Sequence, residues 1–218
     1  MSRRPTPDEL AAAAERVVPD VLRPGLTVVF CGINPGLWSA ATGHHFARPG
    51  NRFWRVLHEA GFTERQLDPT EEAALLAAGI GITNLVARAS ATARELSRAE
   101  LQSGAAALVA RLEPLRPRCV AVLGVTAYRS AFAAPRAGIG RLADPIAGAI
   151  GWLLANPSGA QARYQLADLV DQFATLHAAL VAPAEPSSPT PHAPAAPVAR
   201  RSRSGGDGRR PTAAADPT

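Results

Sequence analysis

Short apolar runs alternate with segments of helical periodicity along the first 182 residues. Continuous apolar runs bounded by turn residues are typical of strands covered on both faces. Four such strands are predicted, at residues 27–32, 81–85, 119–124 and 152–155. Helical spacing recurs at residues 7–17, 51–60, 70–78, 97–115, 125–133 and 162–180. This alternation predicts an α/β fold, a three-layer α/β/α sandwich with a central, mainly parallel sheet that binds ligands beyond the carboxyl ends of its strands.

The composition changes at residue 183. Residues 183–218 are mostly Pro, Ala, Ser, Thr, Gly and Arg, without an aromatic side chain. Such a segment buries too little apolar area to offset the entropy lost on ordering. We therefore expect one folded domain at 1–182 and a disordered, basic Pro/Ala/Arg-rich tail at 183–218. The five arginines of the tail either contact phosphates or are simply solvated.

The net charge and the amino-acid composition limit which partners and which reactions are possible. The formal net charge is +5, which suits a polyanionic partner. All 23 basic residues are arginine, so no side-chain amine exists for a Schiff base. No apolar run is long enough to cross a bilayer and the start lacks the apolar core of a signal peptide, so a soluble, cytoplasmic protein is expected. Cys31 and Cys119 are expected to be free core thiols, and two cysteines are too few for a structural zinc site or an iron–sulfur cluster.

Two turns of similar sequence follow predicted strands. The first, at 32–36, reads Gly-Ile-Asn-Pro-Gly, where the glycines allow close approach of a ligand and the proline stiffens the loop around Asn34. The second, at 156–159, reads Asn-Pro-Ser-Gly. Either turn alone is an ordinary connection. Together they indicate one cleft faced by two amides, provided that their strands are neighbours.

Aromatic and arginine side chains are interleaved at residues 44–54, a combination that suits base stacking and phosphate pairing. The aromatic pair at 53–54 has helical spacing and fits the core. Phe46 lies off that stripe, in a loop bounded by Gly and Pro, and is the better stacking candidate. The two adjacent histidines lack a third ligand at metal spacing, so neither a metal nor a cofactor is expected.

These motifs resemble those of the mismatch-specific uracil-DNA glycosylase and thymine-DNA glycosylase family, family 2 of the uracil-DNA glycosylase superfamily. Four blocks carry the resemblance in the family's order and spacing: 32–36, 43–54, 81–86 and 156–159. It implies a monofunctional DNA glycosylase of that fold, with its catalytic domain at 1–182. The enzyme would hydrolyse the N-glycosidic bond of uracil, or of thymine or adducted cytosine, and leave an abasic site. The implied partner is double-stranded DNA with G:U or related mispairs, bound by a monomer in a bacterial cytoplasm.

The resemblance also implies roles for individual residues. Asn34 matches the catalytic asparagine that holds the attacking water, and Phe46 matches the aromatic that stacks on the flipped base. The implied substrate pocket comprises Ile33, Gly36, His45, Phe46, Asn84 and Asn156. The implied wedge, which enters the duplex, comprises Ser158, Gly159, Ala160, Gln161 and Arg163. Relatives carry lysine or asparagine at the position of Asn84, so the selectivity among bases stays open. Ala160 is a small side chain with which to fill the gap left by the flipped nucleotide.

Two other readings remain. A non-catalytic damaged-DNA-binding protein of the same fold would recognise a flipped base without a water-holding side chain, whereas Asn34 is present. A hydrolase with Ser158 as its nucleophile would need a Gly-x-Ser-x-Gly turn and triad partners, which the sequence does not offer. Because Asn34 is neutral and only orients water, we expect slow turnover.

Overall fold

The computed structural model describes residues 4–159 and 163–182. The strands of this part are β1 (Val28–Gly32), β2 (Ile80–Asn84), β3 (Cys119–Leu123), β4 (Gly140–Arg141) and β5 (Ile150–Leu154). Its α-helices are α1 (Pro7–Ala12), α2 (Leu37–Thr42), α3 (Phe53–Glu59), α4 (Glu72–Ala77), α5 (Arg98–Leu112), α6 (Val125–Ala131) and α7 (Leu166–Val181). All four predicted strands are confirmed to within two residues at each end.

The strands form one five-stranded sheet in the order β2-β1-β3-β5-β4. Neighbours among β2, β1, β3 and β5 run parallel, whereas β4 pairs antiparallel with β5. In register, Val28 of β1 lies beside Ile80 of β2 and Cys119 of β3. The four parallel strands therefore end at one common edge, and the predicted mainly parallel sheet is confirmed.

Alternate residues of β1 pack into two separate apolar clusters. Phe30 stacks on Phe173 of α7 at 5.4 Å and meets Phe53 of α3 edge-on at 5.6 Å. Val29 belongs to the cluster on the other face, with Leu108 of α5 and side chains of α6. Because both faces are covered, the strands read as continuous apolar runs. The three-layer sandwich is thereby confirmed.

The short elements depart from the sequence prediction. The pattern does not predict α2, which has six residues and follows Gly36, an N-cap residue without a capping side chain. Nor does it predict β4, whose two residues are too few to show a period. The predicted helix at 7–17 is wrong in its second half, since the α-helix ends at Ala12 and continues as a 3₁₀ turn to Glu15. By contrast, α5 begins within one residue of the predicted start at 97, and a capping box between Ser97 and Glu100 stabilises its first turn.

Cys31 and Cys119 are buried free thiols, as predicted. Burial raises the pKa of Cys119 to about 12, and it raises that of Cys31 as well, so both thiols are inert. Within the described ranges, no helix is both long and apolar enough to cross a membrane. The same ranges hold no group of three His, Cys, Asp or Glu side chains arranged for a metal ion. The tail predicted at 183–218 lies outside the described residues.

Candidate active site at the carboxyl edge of the sheet

A cavity of about 330 Å³ opens where the parallel strands end. It is lined by one residue at or beyond the end of each strand: Asn34 after β1, Asn84 of β2, Leu123 of β3 and Asn156 after β5. The cavity therefore collects side chains from four separate segments. Every predicted pocket residue lines it: Ile33, Asn34, Gly36, His45, Phe46, Asn84 and Asn156.

The two Asn-Pro turns do not follow neighbouring strands, so the condition set for a shared cleft is not met, yet both turns line one cavity. β3 lies between β1 and β5. Leu123 at the end of β3 lines the cavity between the two turns. Beyond Leu123, Gly124 leads directly into α6, and a Cβ at this glycine would lie 3.0 Å from the Ile33 side chain. Asn34 and Asn156 thus line one cavity across an intervening strand.

The amide of Asn34 is held in one orientation. Its Nδ2 donates to the carbonyl of Arg88 at 3.0 Å and to Ser90 Oγ at 2.7 Å. The Ser90 hydroxyl donates its own proton to the Thr92 carbonyl at 2.8 Å, so towards Asn34 it can only accept. A flipped amide would set Oδ1 against a carbonyl oxygen. Asn34 Oδ1 therefore remains an acceptor, with no partner among the described residues.

The loop that carries Asn34 is paired with the loop after β2. Val86 donates its N–H to the carbonyl of Ile33 at 2.9 Å, and Ser90 donates to that of Pro35 at 3.1 Å. The parallel pairing of β1 and β2 thus continues past their ends and brings Ser90 to Asn34. The sequence pattern does not predict the role of Ser90, which lies in the loop six residues after β2 and reaches Asn34 because β2 is beside β1.

Backbone donors complete this side of the cavity. Ile33, Pro35 and Gly36 line it along with Asn34. In the part of the chain that the structure describes, the N–H groups of Asn34 and Gly36 donate to no acceptor. Unpaired N–H groups beside a cavity are available to a negatively charged group bound there.

His45 is a buried, neutral imidazole that holds Asn84. Its Nε2 donates to the Pro19 carbonyl at 2.9 Å, and its Nδ1 accepts from Asn84 Nδ2 at 3.3 Å. Burial lowers the pKa of His45, and it outweighs the opposing hydrogen bond to Pro19 and the charge of Glu72. Both ring nitrogens are therefore occupied. A direct contact between His45 and a leaving pyrimidine would require one of these bonds to break.

The orientation of Asn84 follows from that of His45. Since Nδ2 faces the histidine, Oδ1 is the group that lies against Gly32. Any Cβ at Gly32 would overlap this oxygen and approach the Phe46 ring to 3.4 Å. Gly32 thus keeps the space between Asn84 and Phe46 open. Asn84 offers the cavity an acceptor oxygen.

Phe46 forms an aromatic wall of the cavity. Its ring stacks on Phe53 with centroids 4.1 Å apart and planes at 26°. Its backbone has φ of 54°, a left-handed conformation that is costly for a bulky residue. A flat face supported from behind by a core aromatic is suited to stacking on a planar base. The geometry is consistent with a stacking role for Phe46, which stays a prediction.

Arg52 anchors the second Asn-Pro turn, a role that the sequence analysis missed. Its guanidinium donates to the carbonyls of Pro157, Ser158 and Tyr164, at 3.2, 3.1 and 2.7 Å. Within the turn, Ser158 donates its N–H to Asn156 Oδ1 at 2.9 Å. Arg52 therefore joins both ends of the segment 158–164.

The predicted wedge is only partly within the described residues. Ser158 lines the cavity, Gly159 is exposed, and Arg163 lies over the ring of Tyr164 at 5.6 Å. Ala160 and Gln161 lie outside the described residues. The wedge role stays a prediction.

Positive charge surrounds the cavity. Arg48 and Arg94 line it, are exposed, and form no ion pair or side-chain hydrogen bond with described residues. Among the described residues no Asp or Glu lines this cavity. The arrangement therefore has neutral amides at its centre and cations at its rim. It can bind a polyanion and orient water, but it has no carboxylate to act as a strong base.

Comparisons with known proteins agree with this geometry. A family model described as the uracil DNA glycosylase superfamily matches residues 19–180. In structure, the chain is similar to the solution NMR structure of a candidate uracil DNA glycosylase from Methanosarcina acetivorans, with 19% sequence identity and a TM-score of 0.50. The match covers 75% of this chain and 98% of that one. At this identity the likeness shows a shared fold.

Proposed function

This chain belongs to the uracil DNA glycosylase superfamily, and from that premise we propose that it removes uracil from mispaired DNA by hydrolysing the N-glycosidic bond. Membership of the superfamily carries DNA glycosylase activity; the preference for mispairs is our extension. Thymine and adducted cytosine in mispairs are proposed as further substrates. The fixed amide of Asn34 is the observation that carries the proposal.

In this mechanism Asn34 orients the attacking water. Its Oδ1 accepts a hydrogen bond from the water, whose oxygen attacks C1′ of the deoxyribose. The bond between C1′ and the pyrimidine N1 breaks, and its electron pair leaves with the base. The water proton passes to solvent and the pyrimidine anion is protonated in turn. Because a neutral amide cannot remove a proton effectively, bond breaking must run well ahead of water attack.

Several groups of the cavity suit the leaving base. The unpaired N–H groups of Asn34 and Gly36 can stabilise the negative charge that develops on the pyrimidine. Phe46 offers a stacking face, and Asn84 Oδ1 an acceptor. Uracil and thymine carry an N3–H that can donate to this oxygen, whereas unmodified cytosine does not. These contacts require the base to leave the duplex, which costs least in a mispair.

A substrate panel tests the proposal. Single-turnover release of base is measured for uracil opposite guanine, uracil opposite adenine, thymine opposite guanine, and uracil in a single strand. We expect faster release from the U:G and single-stranded substrates than from the U:A duplex. Equal rates on U:G and U:A would contradict the mispair preference. Tight binding without release from any substrate would instead favour a non-catalytic damage-binding protein.

A further inference from the structure

The N-terminal segment lies outside the family match, which begins at residue 19, yet it packs beside the candidate active site. Ala13 and Val18 share an apolar cluster with Ala40 of α2 and with Ala89. Ala89 immediately precedes Ser90, which holds the catalytic amide. The segment before residue 19 therefore contacts residues that form the walls of the candidate site.

A second cavity of about 490 Å³ lies between this segment and α2. Leu10, Trp38 and Pro49 contribute apolar surface to it, and Arg4 contributes a cation. The guanidinium of Arg4 lies 5.9 Å from the centre of the Trp38 ring. This wall combines an aromatic surface with positive charge.

The second cavity adjoins the first. Gly36, Arg48 and Ala91 line both cavities. Arg48 is exposed at their junction, and it forms no ion pair or side-chain hydrogen bond within the described ranges. A strand that places one nucleotide in the first cavity would therefore carry its next phosphate past Arg48.

The chemistry of the second cavity fits a nucleotide. In the described part of the chain, the Arg4 guanidinium lies over the Trp38 ring and forms no hydrogen bond or ion pair, and Trp38 Nε1 has no acceptor. Aromatic side chains beside unpaired arginines are the usual means of binding single-stranded nucleic acid, with bases on the rings and phosphates on the cations. Both kinds of group face one space here.

We propose that the second cavity binds an unpaired nucleotide of the substrate strand next to the nucleotide whose base is excised. Its base packs on the wall that contains Trp38, and its phosphate pairs with Arg48 and Arg4. The inference rests on the proposed function, because it requires the first cavity to hold a nucleotide of the same strand. Single-stranded or frayed DNA next to the lesion then binds better than rigid duplex.

The test measures binding of the full chain to single-stranded oligonucleotides that carry an uncleavable 2′-fluoro-deoxyuridine. In two further oligonucleotides the base on the 5′ or the 3′ side of the uracil is replaced by a baseless tetrahydrofuran. We expect the wild type to lose about fivefold or more in affinity when the base on one side is missing, as for one stacked base. Trp38→Ala should lose a similar factor on the intact strand and nothing further on the baseless one.

Phe132→Ala is the matched control. Phe132 is a half-buried aromatic that lines a different cavity, which shares no residue with the first two. This variant should keep both wild-type affinity and wild-type sensitivity to the missing base. The proposal is overturned if Trp38→Ala remains sensitive, or if the wild type is insensitive on both sides. Failure of the proposed function shows separately, as no release of uracil from a cleavable strand.

Arginine variants test the phosphate contacts without disturbing the fold. Arg4→Ala and Arg48→Ala should each lower the slope of log affinity against log salt by about 0.7, the value for one phosphate of a single strand. Arg136→Ala, an exposed arginine of the remote cavity, should leave the slope unchanged. Unchanged slopes for both Arg4→Ala and Arg48→Ala would overturn the assignment of the second cavity.

Discussion

At the scale of single residues, the candidate site depends on amides whose two ends are distinguished by their neighbours. An asparagine side chain in water offers donor and acceptor interchangeably. Asn34 cannot, since a carbonyl and a hydroxyl that has already donated its proton both take hydrogens from its Nδ2. Asn84 is oriented in the same way by the neutral His45. Acceptor oxygens are thereby fixed on both sides of the cavity before a substrate arrives, which lowers the reorganisation needed during reaction.

The Asn34–Ser90 pair leads to a graded prediction. Asn34→Ala should lower the single-turnover rate by about 10²-fold or more, the usual value of a residue that positions a reacting group. Ser90→Ala removes one of two tethers, worth ~1 kcal/mol, and should lower the rate by about fivefold. Binding to DNA with an uncleavable uracil should stay near the wild-type value in both variants. Asn34→Ala activity above about a tenth of wild type would contradict the assigned role.

His45 leads to a prediction about stability and pH. Burial lowers its pKa in the folded protein below the ordinary value of 6.5. As the pH falls through about 6.5, the unfolded chain therefore takes up a proton that the folded chain does not, and the free energy of unfolding decreases. His45→Gln should flatten this slope between about pH 5 and 7, measured by urea unfolding. An equal slope in wild type and variant would show that His45 is not the group responsible.

Residues differ in how far the sequence predicts them. Asn34 and Phe46 lie inside short motifs, so their local context already sets them apart. Ser90 and Arg52 act through contacts 56 and 106 positions away along the chain, with Asn34 and Ser158 respectively. The residues next to them along the chain do not reveal these roles, although Arg52 lies within the motif at 43–54. Only the strand order, with β2 beside β1, brings the first of these pairs together.

At the scale of elements, chain periodicity predicts what is long and buried. The parallel strands are mostly apolar because helices cover both faces of the sheet, and the capping box of α5 marks its start. The two-residue β4 and the six-residue α2 are too short to show a period. Strand order is also not local information, so the sequence left open whether the two Asn-Pro turns follow neighbouring strands. The type of the long helices and strands followed from the sequence, whereas the order of the strands in the sheet required the structure.

The loop after β5 leads to a prediction about base opening. The Arg52 guanidinium donates to the carbonyls of Ser158 and Tyr164. The other predicted wedge residues lie between these two along the sequence. If this loop fills the space of the flipped nucleotide, the small Ala160 fills it poorly. Ala160→Leu should then raise single-turnover excision from U:A several-fold, from about 1 kcal/mol of added apolar contact. U:G, which opens easily, should gain less. Equal or absent gains on both duplexes would show that the loop does not limit base opening.

At the scale of the whole molecule, charged and neutral side chains take different parts in the binding of DNA. Arg48 and Arg94, which form no ion pair with described residues, line the same cavity as the neutral side chains of Asn34, Asn84 and Asn156, so we expect attraction to DNA and selection of a base to fall to different groups. The sequence also predicts that residues 183–218 contribute charge and no packing. We propose that the catalytic domain comprises residues 1–182.

Removal of residues 183–218 tests this division. The truncated chain should keep the wild-type melting temperature and the wild-type single-turnover rate at saturating enzyme. If the five arginines of the tail contact phosphates, truncation should weaken DNA binding and flatten its salt dependence, by about 0.9 in slope for each duplex phosphate lost. Identical slopes would mean that the tail is solvated and takes no part in binding. A lower melting temperature would place part of it in the fold.

The absence of lysine from all 218 residues leads to a prediction about the product. Glycosylases that also cut the strand form an imine between an amine and C1′ of the sugar, and no side chain here can supply that amine. Turnover should therefore yield an intact strand with an abasic site, which breaks only after treatment with alkali. Borohydride, which reduces an imine to a stable amine, should trap no covalent complex of protein and DNA.

The α-amino group of Met1 is the one amine that remains, so the control repeats the reaction with the N-terminus acetylated. A trapped complex that survives acetylation, or strand cleavage without alkali, would refute a purely hydrolytic mechanism. A complex that disappears on acetylation would instead show that the N-terminal amine reaches the abasic sugar.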